Sequence, residues 1–194
     1  MNAKALNQVR STTGIHPLKF TLWLLIMSIV MMFAAFTSAY IVRKEEGNWL
    51  EFNLPEGLLI NSIIIVVSSM AMHWAYLSAK KDNLNSLKIA LFITFILGVA
   101  FLVGQWNVWG ELVRNKIFFG GPTANPSGSF MYVLTGVHGF HLITGLIFLI
   151  IVLLSAFRFR VHAKNLLQIE LCTTYWHFLG ALWVYLYLFL AVYN

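Results

Sequence analysis

The sequence predicts an all-α integral membrane protein, a bundle of five transmembrane helices folded as a single domain over residues 1–194. Two observations carry that prediction. Hydrophobic residues make up 59% of the 194 positions and charged residues only 10%, where a soluble domain carries roughly a quarter charged. The same balance excludes a disordered chain, which needs low hydrophobicity and high charge. The charges are also segregated: residues 20–42, 57–79, 89–110, 117–157 and 171–194 contain no Asp, Glu, Lys or Arg. A helix needs about 20 apolar residues to cross the hydrocarbon core, where only internal hydrogen bonds satisfy the backbone.

Each charge-free window defines one helix. The first covers about 18–42 and is closed by Arg43, Lys44, Glu45 and Glu46. Residues 1–19 carry Lys4, Arg10 and Lys19 but no apolar signal core, so this span is expected to remain as an anchor. The second covers about 55–79, with Pro55 suited to a first helical turn and Lys80 and Lys81 ending it. The third covers about 87–109. The fourth comes from a 41-residue window whose Gly- and Pro-rich start, 120–128, predicts a loop, leaving about 129–157 as helix. The fifth covers about 169–192. One cysteine, Cys172, excludes an internal disulfide and a multi-thiolate metal site, and is expected to be a small buried apolar residue.

The basic residues predict the topology. Nine Lys or Arg fall in the N-terminus and the loops 80–88 and 158–170, against four in the segments facing the other side. Positive residues stay cytoplasmic, so the N-terminus is expected in the cytoplasm and the C-terminus in the periplasm. A net charge of +6 then reflects topology rather than nucleic-acid binding. Trp49, Trp106 and Trp109 are expected at the outer interface, Trp74 and Trp176 nearer the inner one.

Four histidines, His73, His138, His141 and His177, lie inside the spans. His73 sits seven residues before Lys80 and His177 seven after Glu170, so both lie about 10 Å from the cytoplasmic end and can share a layer. His138 and His141, at i and i+3, are expected on one face of the fourth helix. Such groups face protein rather than lipid. Two readings follow: the neutral imidazoles hydrogen-bond to Ser, Thr or Tyr and hold helices together, or they ligate haem from facing helices. A di-iron carboxylate site is excluded, because no span interior holds a Glu. Asn61 and Gln105 are expected to bond as amides between helices. Gly98, Gly104, Gly136, Gly139 and Gly145 are expected to permit close packing. Arg158, Arg160 and Lys164 are expected to hold anionic lipid headgroups or to set topology.

Two stretches go further. Residues 135–145 read T-G-V-H-G-F-H-L-I-T-G, and residues 175–178 read Y-W-H-F with Trp183 five residues on. They closely resemble subunit III of the haem–copper terminal oxidases, whose patterns are T-G-x-H-G-x-H-x-x-x-G and Y-W-H-F-V-D-x-x-W. Asn61, Ser62, Ser68 and Ser69 in the second span, Gly98, Phe101, Leu102 and Gln105 in the third, and Ser28, Val30, Met31, Phe33 and Ala34 in the first are similar to it too. The resemblance runs over about residues 16–194. It implies the short five-helix bacterial form, in a bacterial plasma membrane, without two N-terminal helices of longer relatives. It also implies no catalytic residue, redox metal or other cofactor in this chain, bound phospholipids, and packing against the catalytic subunit I of a complex that also contains subunit II. Haem and copper would sit in those partners. Such a subunit is thought to protect the catalytic one from turnover inactivation and to sustain proton uptake. Under this reading Thr135, His138, His141, Trp176, His177, His73 and Gln105 form a structural polar core, and Arg158, Arg160 and Lys164 hold lipid.

The departures are specific. The family's intramembrane Glu falls at Ile29, its Asp after Y-W-H-F-V at Gly180, and the Glu three residues after its Gln at Val108. An unpaired carboxylate in lipid is expensive, which fits the loss, and any role needing a titrating acid in this chain is thereby weakened. The rival readings are an independent b-type membrane cytochrome with haem held by these histidines, and a small-solute transporter. The transporter is disfavoured because five helices give no pairable halves. The electron donor, cytochrome c or quinol, and membership of a larger respiratory assembly stay open.

Overall fold

A computed structural model describes residues 16–122, 124–157 and 166–193. Among them the chain is all helical: α1 (Pro17–Glu45), α2 (Gly57–Lys80), α3 (Leu84–Arg114), α4 (Pro126–Phe157) and α5 (Leu167–Tyr193). All five are long and apolar enough to cross a membrane. Arg158, Arg160 and Lys164, the expected lipid contacts, lie outside the described residues.

The helices appear in the expected order, but their ends differ. α3 runs three residues earlier and five later than the apolar window, and α4 starts at Pro126, inside the expected loop. Hydropathy marks where lipid ends; a helix ends where a cap satisfies its free backbone groups. Asn83 accepts from Ser86 N–H at 3.2 Å and so starts α3 ahead of the lipid zone. Asn125 accepts from Ser127 N–H at 3.1 Å, and Pro126 suits the first turn of α4. Conversely, Pro55 lies ahead of α2: its carbonyl takes Leu58 N–H at 3.1 Å in a preceding turn.

α2 and α3 form the closest pair. Their turn is tight because Asp82 takes a left-handed φ of +57°, which lets Asn83 N–H reach the Ser78 carbonyl at 3.0 Å. α2 also packs on α5, α3 on α4 and α4 on α5, closing a four-helix ring, and α1 lies outside it against α4 and α5. The outward side of α1 is a lipid-compatible strip that includes Trp23, Leu24, Met27 and Met31. Polar contacts pin α1 at both ends. Lys19 Nζ meets Glu170 Oε1 at 2.6 Å at one end, and Lys44 Nζ reaches the Tyr193 carbonyl at 2.6 Å at the other. The Lys19–Glu170 pair is more than a third exposed on both sides, so Lys19→Gln is expected to cost less than about 1 kcal/mol in detergent unfolding. A larger loss would mean that α1 depends on this one tether.

Candidate functional site: the polar core

The centre of the ring is Trp176 on α5, 1% exposed. It lies where α3 and α4 offer glycines. A Cβ on Gly98 would stand 2.8 Å from the Trp176 ring, and one on Gly145 3.5 Å from it. Trp176 is thus enclosed by the bundle, and the absence of two Cβ atoms makes room for it. Its indole N–H donates to Ser68 Oγ at 3.1 Å, and that hydroxyl lies 3.4 Å from the Thr94 carbonyl.

The same arrangement recurs. Trp183 Nε1 donates to Ser62 Oγ at 3.0 Å, and Ser62 donates to the Leu58 carbonyl at 2.8 Å. Trp109 Nε1 donates to Thr135 Oγ1 at 3.0 Å, and Thr135 donates to the Met131 carbonyl at 2.8 Å. Thr144 donates to the His141 carbonyl at 2.7 Å and so accepts from Tyr175, 2.9 Å away. Tyr185 approaches Thr37 Oγ1 at 3.2 Å, whose own proton goes to the Phe33 carbonyl at 3.0 Å. The chemistry is economical. A helical Ser or Thr gives its only proton to its own helix or a neighbour's, leaving oxygen lone pairs that an aromatic donor from another helix can use.

The expected amide pair is present: Asn61 Nδ2 donates to Gln105 Oε1 at 3.3 Å. Gly104 makes it possible, since a Cβ there would collide with Asn61 Oδ1. Gly136 makes only ordinary contact with Trp109, and a Cβ on Gly139 would meet nothing within 4 Å. The packing role expected of those two glycines is therefore not what their surroundings require.

The histidines behave differently from one another. His138 and His141, about 60° apart on α4, meet different helices. His138 turns to α3 and α5, its ring 5.8 Å from Phe101 and 5.0 Å from Trp183. His141 turns to α1, 6.1 Å from Phe33, and donates Nδ1–H to its own helix at Val137 O, 2.8 Å away. Three residues advance a helix by about 300°, which separates the two side chains enough to reach different neighbours. His138 is fully buried, and neither ring nitrogen has a partner among the described residues. The interhelical hydrogen bonding expected of it thus falls to the indoles instead. His138→Leu is expected to change detergent stability by less than about 1.5 kcal/mol, because it keeps the volume and removes an unpaired polar group. A loss of several kcal/mol would show that the imidazole carries an interaction beyond ring packing.

His73 and His177 do share a layer, with ring centroids 5.8 Å apart across α2 and α5. The Ser69 hydroxyl is hydrogen-bonded to His177 Nδ1. The positions of the three family carboxylates hold buried Ile29 and Val108, and Gly180 beside Ser69. Cys172 is buried and free. No group of three or more His, Cys, Asp or Glu that could hold a metal ion occurs among the described residues. The sequence singles out Trp176 and Thr135 but not their partners, Ser68 as an acceptor and Trp109 as a donor. Hydroxyls at similar depth to tryptophans are the signal that points to such pairs.

The fold and core define a multi-pass membrane protein whose intramembrane polar groups serve mainly to join helices. The family model for cytochrome c oxidase subunit III matches residues 4–194. The chain is 30% identical over 184 residues to "Cytochrome c oxidase subunit 3" of Rattus norvegicus, covering 88% of this chain and 67% of the relative. It is 26% identical over 175 residues to "Cytochrome bo(3) ubiquinol oxidase subunit 3" of Buchnera aphidicola, covering 88% and 90%. The human subunit 3 is 29% identical over 184 residues, with 88% and 67% covered. The chain belongs to the cytochrome c oxidase subunit III family.

Proposed function

We propose that this chain is the non-catalytic subunit III of a proton-pumping haem–copper terminal oxidase, which reduces oxygen to water in aerobic respiration. The family match over nearly the whole chain carries this reading. The core supports it: its indole, hydroxyl and amide groups are occupied in joining helices. Thr135, Trp176, His177, His73, Gln105, His138 and His141 form its structural core, with no catalytic residue or redox cofactor of its own. The chain acts as one domain in a bacterial inner membrane, with its N-terminus cytoplasmic and its C-terminus periplasmic, as its basic loops favour. Its partners are subunits I and II, which hold the haem and copper, and phospholipids gripped by Arg158, Arg160 and Lys164. A larger respiratory assembly is compatible with this role.

The test is gentle detergent purification through this chain. The expected result is co-elution of haem-bearing polypeptides, with the separately purified chain colourless. A Soret band in the separate chain, lost on substituting His73 or His177, would instead make it an independent cytochrome.

A further inference from the structure

His138 is not the only buried group with unmet hydrogen-bonding capacity. Gln105 is 2% exposed. Its Oε1 accepts from Asn61, but its Nε2 has no partner among the described residues, and neither has either ring nitrogen of His138. Buried polar atoms left in this state are expensive, and two of them on neighbouring helices call for a common explanation.

The two groups stand at one level of the bundle. The register of α3 against α4 is set by Trp109 Nε1 on Thr135 Oγ1 at 3.0 Å and by Gly98 beside the Leu146 side chain. Gln105 comes four residues before Trp109, and Gly139 four after Thr135. In antiparallel helices this puts Gln105 opposite Gly139, the residue next to His138. Phe101, one turn from Gln105, has its ring centroid 5.8 Å from that of His138. Gly139 is buried, yet a Cβ there would meet nothing within 4 Å. Gly98, on the same interface, is filled by Leu146 and Trp176 instead. The space opposite Gln105 is therefore enclosed room, not close packing.

We infer that this space is an internal hydration site, in which one or two water molecules accept from Gln105 Nε2 and bond to the His138 ring, joining α3 to α4. The chemistry selects water. An imidazole with one ring proton presents a donor and an acceptor, and the amide nitrogen presents two donors, so the occupant must both accept and donate. An acyl chain does neither. A lipid headgroup has no access, because the flanking Phe101, Leu134, Leu142 and Trp183 are themselves buried. A buried water needs room and at least two polar partners, and the site offers both. The Trp109–Thr135 bond closes it toward one membrane face, and Trp176 packed on Gly98 closes it toward the other. The water is held there and does not pass through.

Two measurements test the site. The first is a cryo-electron microscopy map of the chain in the complex it purifies with, sharp enough to show ordered water at other buried polar groups. Compact density is expected within about 2.7–3.2 Å of Gln105 Nε2 and of a His138 ring nitrogen, as one water or a connected pair. No density there, an elongated acyl chain, or a direct Gln105–His138 contact would each overturn the site. The second is detergent unfolding of the full chain. Gln105→Met is expected to shift the unfolding constant by roughly three- to tenfold more in the wild-type background than in His138→Leu, where the bridge is already broken. His138→Gln keeps a donor and an acceptor, so in that background the shift is expected to match wild type. An equal shift in all three backgrounds, or a shift reduced alike by Leu and Gln, would remove the bridge.

Discussion

Trp176→Ala is expected to be the most damaging single substitution, lowering stability in detergent by about 3 kcal/mol or more. The indole is almost wholly enclosed, and it touches the places where α3 and α4 lack side chains at Gly98 and Gly145. Lipid tails are as apolar as the bundle interior, so burial itself drives little of this association and van der Waals packing must supply it. Truncation opens a void that the surrounding helices can fill only partly. It also strips Ser68 Oγ of its indole donor. Trp176→Phe separates the two effects, since it keeps much of the volume and loses only the hydrogen bond, worth about 1 kcal/mol. Unfolding monitored by circular dichroism during denaturing-detergent titration should rank wild type above Phe and Phe well above Ala. If Phe and Ala are equally damaging, the hydrogen bond and not the volume is the larger contribution.

Gly104→Ala is expected to destabilise by about 2 kcal/mol, although alanine is the better helix former by about 1 kcal/mol. The new Cβ would collide with Asn61 Oδ1, and Asn61 is 1% exposed with its amide committed to Gln105. Moving Asn61 aside breaks the amide pair. Each buried amide left unpaired costs about 1–3 kcal/mol, which outweighs the propensity gain. The double variant Gly104→Ala with Asn61→Ala should recover part of the loss, because the clash disappears; the two single effects would then fail to add. A Gly104→Ala variant more stable than wild type would show that α2 and α3 do not approach this closely.

How much of the molecule is legible in the sequence varies with how local the cause is. Asn61 with Gln105, and His73 with His177, can be matched from their positions alone. Both pairs combine polar residues at similar depths, and depth follows from counting 1.5 Å per residue. The same arithmetic gives the depth of Trp176 but not its burial, since depth says nothing about which way a side chain points. Spacing puts His138 and His141 on one face; their different neighbours are set by α1 packing outside the ring. The extensions of α3 and α4 come from Asn83 and Asn125, whose capping bonds are independent of hydropathy.

The number of spans, their order and the lipid-facing character of the chain follow from the linear record alone, because lipid and water select residues position by position. Which indole meets which hydroxyl, why two glycines frame Trp176, and that His73 faces outward depend on how the helices rotate and cross. Those contacts join positions as far apart as 68 and 176, and no local preference encodes the rotation that brings them together.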